Sequence, residues 1–166
     1  MQNENLTYYP LPQPDDLDIR EKEDAMGAYF MMFAAMAIGL PLPIVNIIAA
    51  AVYLFMDQTK KSRYVRFHAL HSLYAQIPVT LLNAGAVTWV LLVFFRDYAL
   101  TNIFWGYIAL VALANLTYFT FSIIAAVKAR NGQFFYFLFF GKLAYHLAYR
   151  VKEDNKTMVV NQPPKM

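Results

Sequence analysis

Three stretches of this chain, Ala25–Met56, Phe67–Phe95 and Tyr98–Val127, contain no lysine, arginine, aspartate or glutamate. Each is longer than the roughly 20 apolar residues that carry a helix across bilayer hydrocarbon. A soluble domain keeps one face of every helix wet by spacing charges along it, and these runs have no wet face. Sheet is excluded on energetic grounds, because unpaired backbone amides are costly in lipid and the runs lack the alternation of barrel strands. The sequence therefore predicts an all-α, polytopic helical membrane bundle of three to four transmembrane helices. Charged residues are 15% of the 166 and hydrophobic ones 59%, so the few charges mark the ends and connectors.

Four regions follow. Residues 1–24 carry Pro10, Pro12 and Pro14, then seven acids against two bases, and read as an acidic, mobile arm with a short helical lead-in rather than a cleaved signal peptide. Residues 25–130 form the bundle, 131–152 an interfacial amphipathic helix, and 153–166 a polar tail. Within the first apolar run, Gly39-Leu40-Pro41-Leu42-Pro43 must break the helix, since proline removes an amide donor and clashes with the preceding turn. One long kinked span and two half-length helices forming a hairpin both satisfy that break.

Orientation comes from the connectors. Lys60, Lys61, Arg63 and Arg66 precede the second run, and Lys128 and Arg130 close the third, whereas the Arg96-Asp97 link between these runs is neutral. Basic connectors face the cytoplasm, so the second and third runs form a hairpin with its tight turn on the far side. After the aromatic segment Phe134–Phe140, Lys142, His146 and Arg150 recur at four-residue spacing. That stripe, opposite aromatic and leucine residues, suits a helix lying in the headgroup plane against anionic lipid or a partner.

The second run opens with His68 and His71 and continues through Ser72, Gln76 and Asn83, at spacings that gather polarity near one helix face. Such a face points into protein, where it pairs helices, with Asn46 and Asn115 as partners. The competing reading is a polar path for protons, ions or peptide. His68 and His71 follow Arg66 closely and so lie near the interface, and no run supplies a deep acid for a relay. Cofactors and metals are not expected: there is no cysteine, no intramembrane carboxylate to join the histidines, and nothing marks His68, His71 or His146 as haem ligands. No nucleophile stands beside a base and an orienting acid, so the chain is expected not to be an enzyme. A basic cluster beside a span is a topology and lipid anchor, and no nucleic-acid partner is expected.

The segment Lys61-Ser62-Arg63-Tyr64-Val65-Arg66-Phe67-His68-Ala69-Leu70-His71-Ser72-Leu73 resembles small bacterial membrane proteins related to the chloroplast import component Tic-Twenty. So does Ala125-Ala126-Val127-Lys128-Ala129-Arg130-Asn131-Gly132-Gln133, followed by Gly141; Gln133 and Phe137 depart from that pattern. The resemblance covers about residues 26–145 and implies a bundle of three or four helices in the bacterial inner membrane. It further implies a non-enzymatic subunit for protein translocation or membrane-complex assembly, with membrane lipids and other subunits or further copies of the chain as partners. A small channel or transporter lined by Gln76, Asn83, Asn46 and Asn115 is the alternative.

Overall fold

A computed structural model describes residues 8–33, 43–96 and 98–151. Among the described residues the chain is helical, with α1 (Ile19–Phe30), α2 (Pro43–Phe55), α3 (Asp57–Lys61), α4 (Arg63–Arg96), α5 (Asn102–Arg130) and α6 (Leu138–Tyr149). Local chemistry sets the ends. The Asp18 amide donates to the Glu21 carboxylate at the start of α1, the Val65 amide to Ser62 Oγ at the start of α4, and the Phe104 amide to Thr101 Oγ1 at the start of α5. Helix α5 ends in a Schellman turn: the Gln133 amide reaches the Lys128 carbonyl, the Gly132 amide reaches that of Ala129, and Gly132 takes φ +73°.

Helices α4 and α5 make a long antiparallel hairpin. Tyr64 Oη donates to the Ala129 carbonyl at one end, Asn83 meets Asn115 midway, and Trp89 packs edge-on against Phe104 towards the other. With 34 and 29 residues these are, among the described residues, the two helices long and apolar enough to cross a membrane. Only 11% and 22% of their most apolar 18-residue stretches are buried, so these are not the core helices of a soluble protein: their apolar side chains face outward.

The other helices thicken one end of the hairpin, here termed the base. Tyr53, near the end of α2, donates its hydroxyl to the Asp24 carbonyl in α1 at 2.6 Å, and a Cβ on Gly27 would lie 3.0 Å from Tyr53 Oη. The first apolar run therefore doubles back, and α1 and α2 both pack against α4 as half-length helices that meet through Tyr53. The Gly39–Leu42 part of the proline break lies outside the described residues. At 13 residues α2 is only about 20 Å long, short of the hydrocarbon thickness of roughly 30 Å. Helix α6 runs antiparallel to α4, with the Phe137 amide on His71 and Ala144, Ala148 and Tyr149 packed against Phe67 and Leu70.

The segment before α1 packs on the base from Tyr8 onward; residues 1–7 of the acidic arm lie outside the described residues. Tyr9 donates its amide to the Tyr149 carbonyl, and Pro14 sits so close to Gly132 that a Cβ there would lie 2.9 Å from Pro14 Cα. Towards the tip of the hairpin, past the cleft where α6 begins, the described residues are those of α4, α5 and the connector between them. Leu81, Phe94, Phe95, Ile103 and Leu113 are exposed there.

Candidate functional site

A buried polar triad sits at the base. Tyr29 of α1 places its hydroxyl 2.9 Å from His68 Nδ1 and 2.8 Å from His71 Nδ1, both on α4. The three side chains are at most 2% exposed. The His71 ring is fixed from its far side, because the backbone amide of Phe137, which can only donate, points at Nε2 from 3.3 Å. Nε2 must then be unprotonated and Nδ1 must carry the hydrogen. It follows that His71 Nδ1 donates to Tyr29 Oη, Tyr29 donates to His68 Nδ1, and His68 carries its hydrogen on Nε2. That last nitrogen is buried without a hydrogen-bond partner, among the rings of Tyr64, Phe67 and Phe134.

Polarity continues from the triad towards the tip. Ser72 Oγ donates to the Ala28 carbonyl and accepts from Gln76 Nε2, while Gln76 Oε1 and Tyr118 Oη are buried without partners. Tyr29, His71, Ser72, Tyr118 and Ser122 border a cavity of about 10 Å³, large enough for a single water. Farther along, Asn83 and Asn115 exchange two side-chain hydrogen bonds, at 3.0 and 2.8 Å, and Asn115 also donates to the Val111 carbonyl. Asn46 sits half-buried on α2. No group of three or more His, Cys, Asp or Glu side chains suited to a metal occurs among the described residues. Both His71 ring nitrogens are engaged, so a metal there would have to break the triad.

The cations collect at the base. Lys60, Lys61 and Arg66 are exposed, the Arg63 guanidinium lies 3.5 Å from the Tyr9 ring centroid, and Lys128 Nζ donates to Gln133 Oε1. Arg130 forms an exposed ion pair with Glu23 at 3.0 Å. On α6, Lys142 is exposed, His146 Nδ1 meets Tyr8 Oη at 2.8 Å, and Arg150 lies 3.5 Å from His146 Nε2. Burial pushes the Tyr149 hydroxyl well above the ordinary tyrosine range.

Several of these positions escape sequence reasoning. Tyr29, Tyr118 and Ser122 sit in charge-free runs and look like apolar lining; only the four-residue spacing of Tyr118 and Ser122, continued by Ala125, Ala126 and Ala129, hints at an inward face on α5. Tyr8 and Tyr9 precede the prolines and give no signal of their partners on α6.

No curated protein and no solved structure matches the chain. A family model does, over residues 23–144, nearly the same stretch that carried the Tic-Twenty resemblance. It overturns that resemblance, and the geometry shows why the motifs misled. Ser62 caps α4, Arg63 and Arg66 ring its entry, and Gly132 supplies a left-handed turn that Pro14 packs against; these are demands of the architecture, not marks of import machinery. The expectation of protein translocation rested on that resemblance and loses its support with it. The chain belongs to the MamF/MmsF family, the magnetosome magnetite crystal formation proteins.

Proposed function

We propose that this protein is a non-enzymatic membrane subunit of the magnetosome that supports magnetite crystal formation by binding and positioning rather than by turnover. The α4–α5 hairpin crosses the bilayer, with the base on the cytoplasmic side and the tip connector around Tyr98 on the side where the crystal grows. The observation that carries this reading is the charge distribution along a hairpin whose apolar side chains face outward. Of the described lysines and arginines only Arg96 stands at the tip, and the rest belong to the base or to α6. Basic segments are retained on the cytoplasmic side. Binding is favoured over transport because the polar cavity has room for one water, whereas the large cleft of about 470 Å³ is apolar and borders outward-facing residues such as Leu113 and Phe139. The base offers partners both signs of charge, from α1 and from the connectors.

The absence of cysteine makes the topology directly testable. Gln58→Cys at the base and Tyr98→Cys at the tip are treated with a membrane-impermeant maleimide on sealed, isolated magnetosomes. Labelling at Gln58→Cys alone, with Tyr98→Cys reacting only after permeabilisation, is expected. The opposite pattern, or labelling of both on sealed vesicles, rejects the arrangement.

A further inference from the structure

Beside the hairpin, where α6 begins, lies the cleft of about 470 Å³, walled by Pro78 and Leu82 of α4, Leu113 and Ala114 of α5, and Phe139 and Phe140 of α6. Its size falls in the range of roughly 300–1,000 Å³ typical of small-ligand sites. Among the described residues no charged side chain lines it, so it suits hydrocarbon over that length. Three residues beyond Phe139 on the same helix is Lys142, exposed and on the base side of the cleft. Residues three apart on a helix are neighbours, so Lys142 is on the adjoining helix surface, within reach of the base-side end of the cleft. From there α6 runs on towards the base, where Arg150 lies at its end.

A phospholipid in the base-side leaflet has the same polarity: its phosphodiester lies towards the base and its chains point to the bilayer centre. We propose that the cleft and Lys142 form a binding site for one anionic phospholipid, with an acyl chain between α4, α5 and Phe139 and the headgroup phosphate at Lys142. The site rests on the membrane reading above and adds a specific ligand to it. Pro78 contributes twice: its missing amide leaves the Tyr74 carbonyl without its helical donor, and its ring forms part of the cleft wall. Bound there, the lipid joins the first turn of α6 to the hairpin.

The test uses the full chain, purified in mild detergent and mixed with equal amounts of dioleoyl phosphatidylglycerol and dioleoyl phosphatidylcholine, with retained lipid counted by native mass spectrometry. One phosphatidylglycerol per chain is expected, preferred about fivefold over phosphatidylcholine, the factor that one lysine near an anionic surface supplies. Lys142→Gln should remove the preference while one lipid is still retained. Ala114→Phe should abolish retention by filling the cleft, and Val79→Phe does the same from the opposite wall should the first variant not fold. Ala109→Phe, on the exposed face of α5 outside the cleft, should bind as the wild type does. Equal retention of both lipids by the wild type, or undiminished retention in a folded cleft-filling variant, overturns the proposal. Alkaline carbonate extraction of the same membranes scores the underlying reading separately: a protein released by carbonate refutes the spanning hairpin, whereas an integral protein that retains no lipid refutes the site alone.

Discussion

Replacing Tyr29 by phenylalanine removes one oxygen and keeps the ring that packs against His68 and His71. The consequences differ for the two histidines. His71 cannot adapt, because the Phe137 amide holds its Nε2 as an acceptor and the hydrogen must stay on Nδ1, where it loses its acceptor. His68 has no such restraint and can move its hydrogen between nitrogens, since neither then has a partner. The cost is thus close to one orphaned buried donor plus two lost interhelical hydrogen bonds. A buried donor left unmade costs about 1–3 kcal/mol, and interhelical bonds in membrane proteins average about 0.6 kcal/mol each. These figures overlap, because losing the bond and orphaning the donor are largely the same event, so a loss of about 2 kcal/mol is expected.

The assay is reversible unfolding in mixed micelles titrated with a denaturing detergent, comparing wild type with Tyr29→Phe. The ¹⁵N shifts of the histidine rings report the tautomers directly. In the wild type His71 should be the Nδ1–H form and His68 the Nε2–H form. A stability loss below about 0.3 kcal/mol would mean that the triad contributes little. A wild-type His71 protonated on Nε2 would refute the donor and acceptor assignment itself, whatever the stability.

Three further outcomes follow from the geometry. Asn83→Leu and Asn115→Leu should each cost about 0.6–1.7 kcal/mol in the same unfolding assay, and the double variant should cost less than the sum, because either single change already breaks the reciprocal pair. Gly132→Ala should cost about 1–2 kcal/mol, from the positive φ and the approach of Pro14, whereas Gly106→Ala, whose Cβ would meet nothing within 4 Å, should be neutral or slightly stabilising. Tyr149 gives a pH dependence: with its hydroxyl held protonated by burial, only the unfolded chain ionises as pH rises through about 10. Stability should therefore be level below that pH and fall above it, and Tyr149→Phe should flatten the decline.

The hairpin is legible in the sequence because it depends on quantities carried by single residues: charge-free length, bounded by charged residues in the connectors. The helix break at the prolines is legible too, but its outcome is not. Whether the chain continues or reverses depends on what α2 meets, and the deciding contact, Tyr53 to the Asp24 carbonyl, joins residues 29 apart. The triad is half legible. His68 and His71 stand out in an apolar run, yet Tyr29 is one of 12 tyrosines and the Phe137 amide belongs to the backbone, which no side-chain pattern reveals. Gly132 and Gly141 illustrate the opposite failure. Their spacing points to the wrong family, although each has a local cause: a left-handed turn at Gly132, and at Gly141 the Tyr136 backbone, whose Cα lies 2.7 Å from where a Cβ would stand.

Length along the hairpin relates the base to the tip. From Arg66 to Arg96 is 30 residues, or about 45 Å of helix, which matches a bilayer with both headgroup layers, roughly 40–45 Å. On the proposed spanning arrangement, the outward side chains of Ile44, Ile48 and Val52 on α2 and Leu143 and Leu147 on α6 place most of the base inside that thickness. On this placement His68 and His71 sit about 3–8 Å from the Arg66 plane, just under the headgroups, and Asn83 lies close to the midplane. The histidines are then poorly placed to pass protons across the membrane and well placed to fasten α1 and the Phe137 turn to α4 where the helices enter it. The Asn83–Asn115 pair sits where water is scarcest, the depth at which a reciprocal bond has the fewest competitors. Beyond it the tip is joined by Tyr107 Oη on the Leu82 carbonyl and by the packing of Trp89 on Phe104 and Tyr107. Few polar contacts resist separation there, so local opening should begin at the tip and stop at the Asn pair, leaving the base intact. Site-resolved hydrogen exchange in micelles would show that gradient as slow amides below Asn83 and faster ones above it; uniform protection along α4 would contradict it.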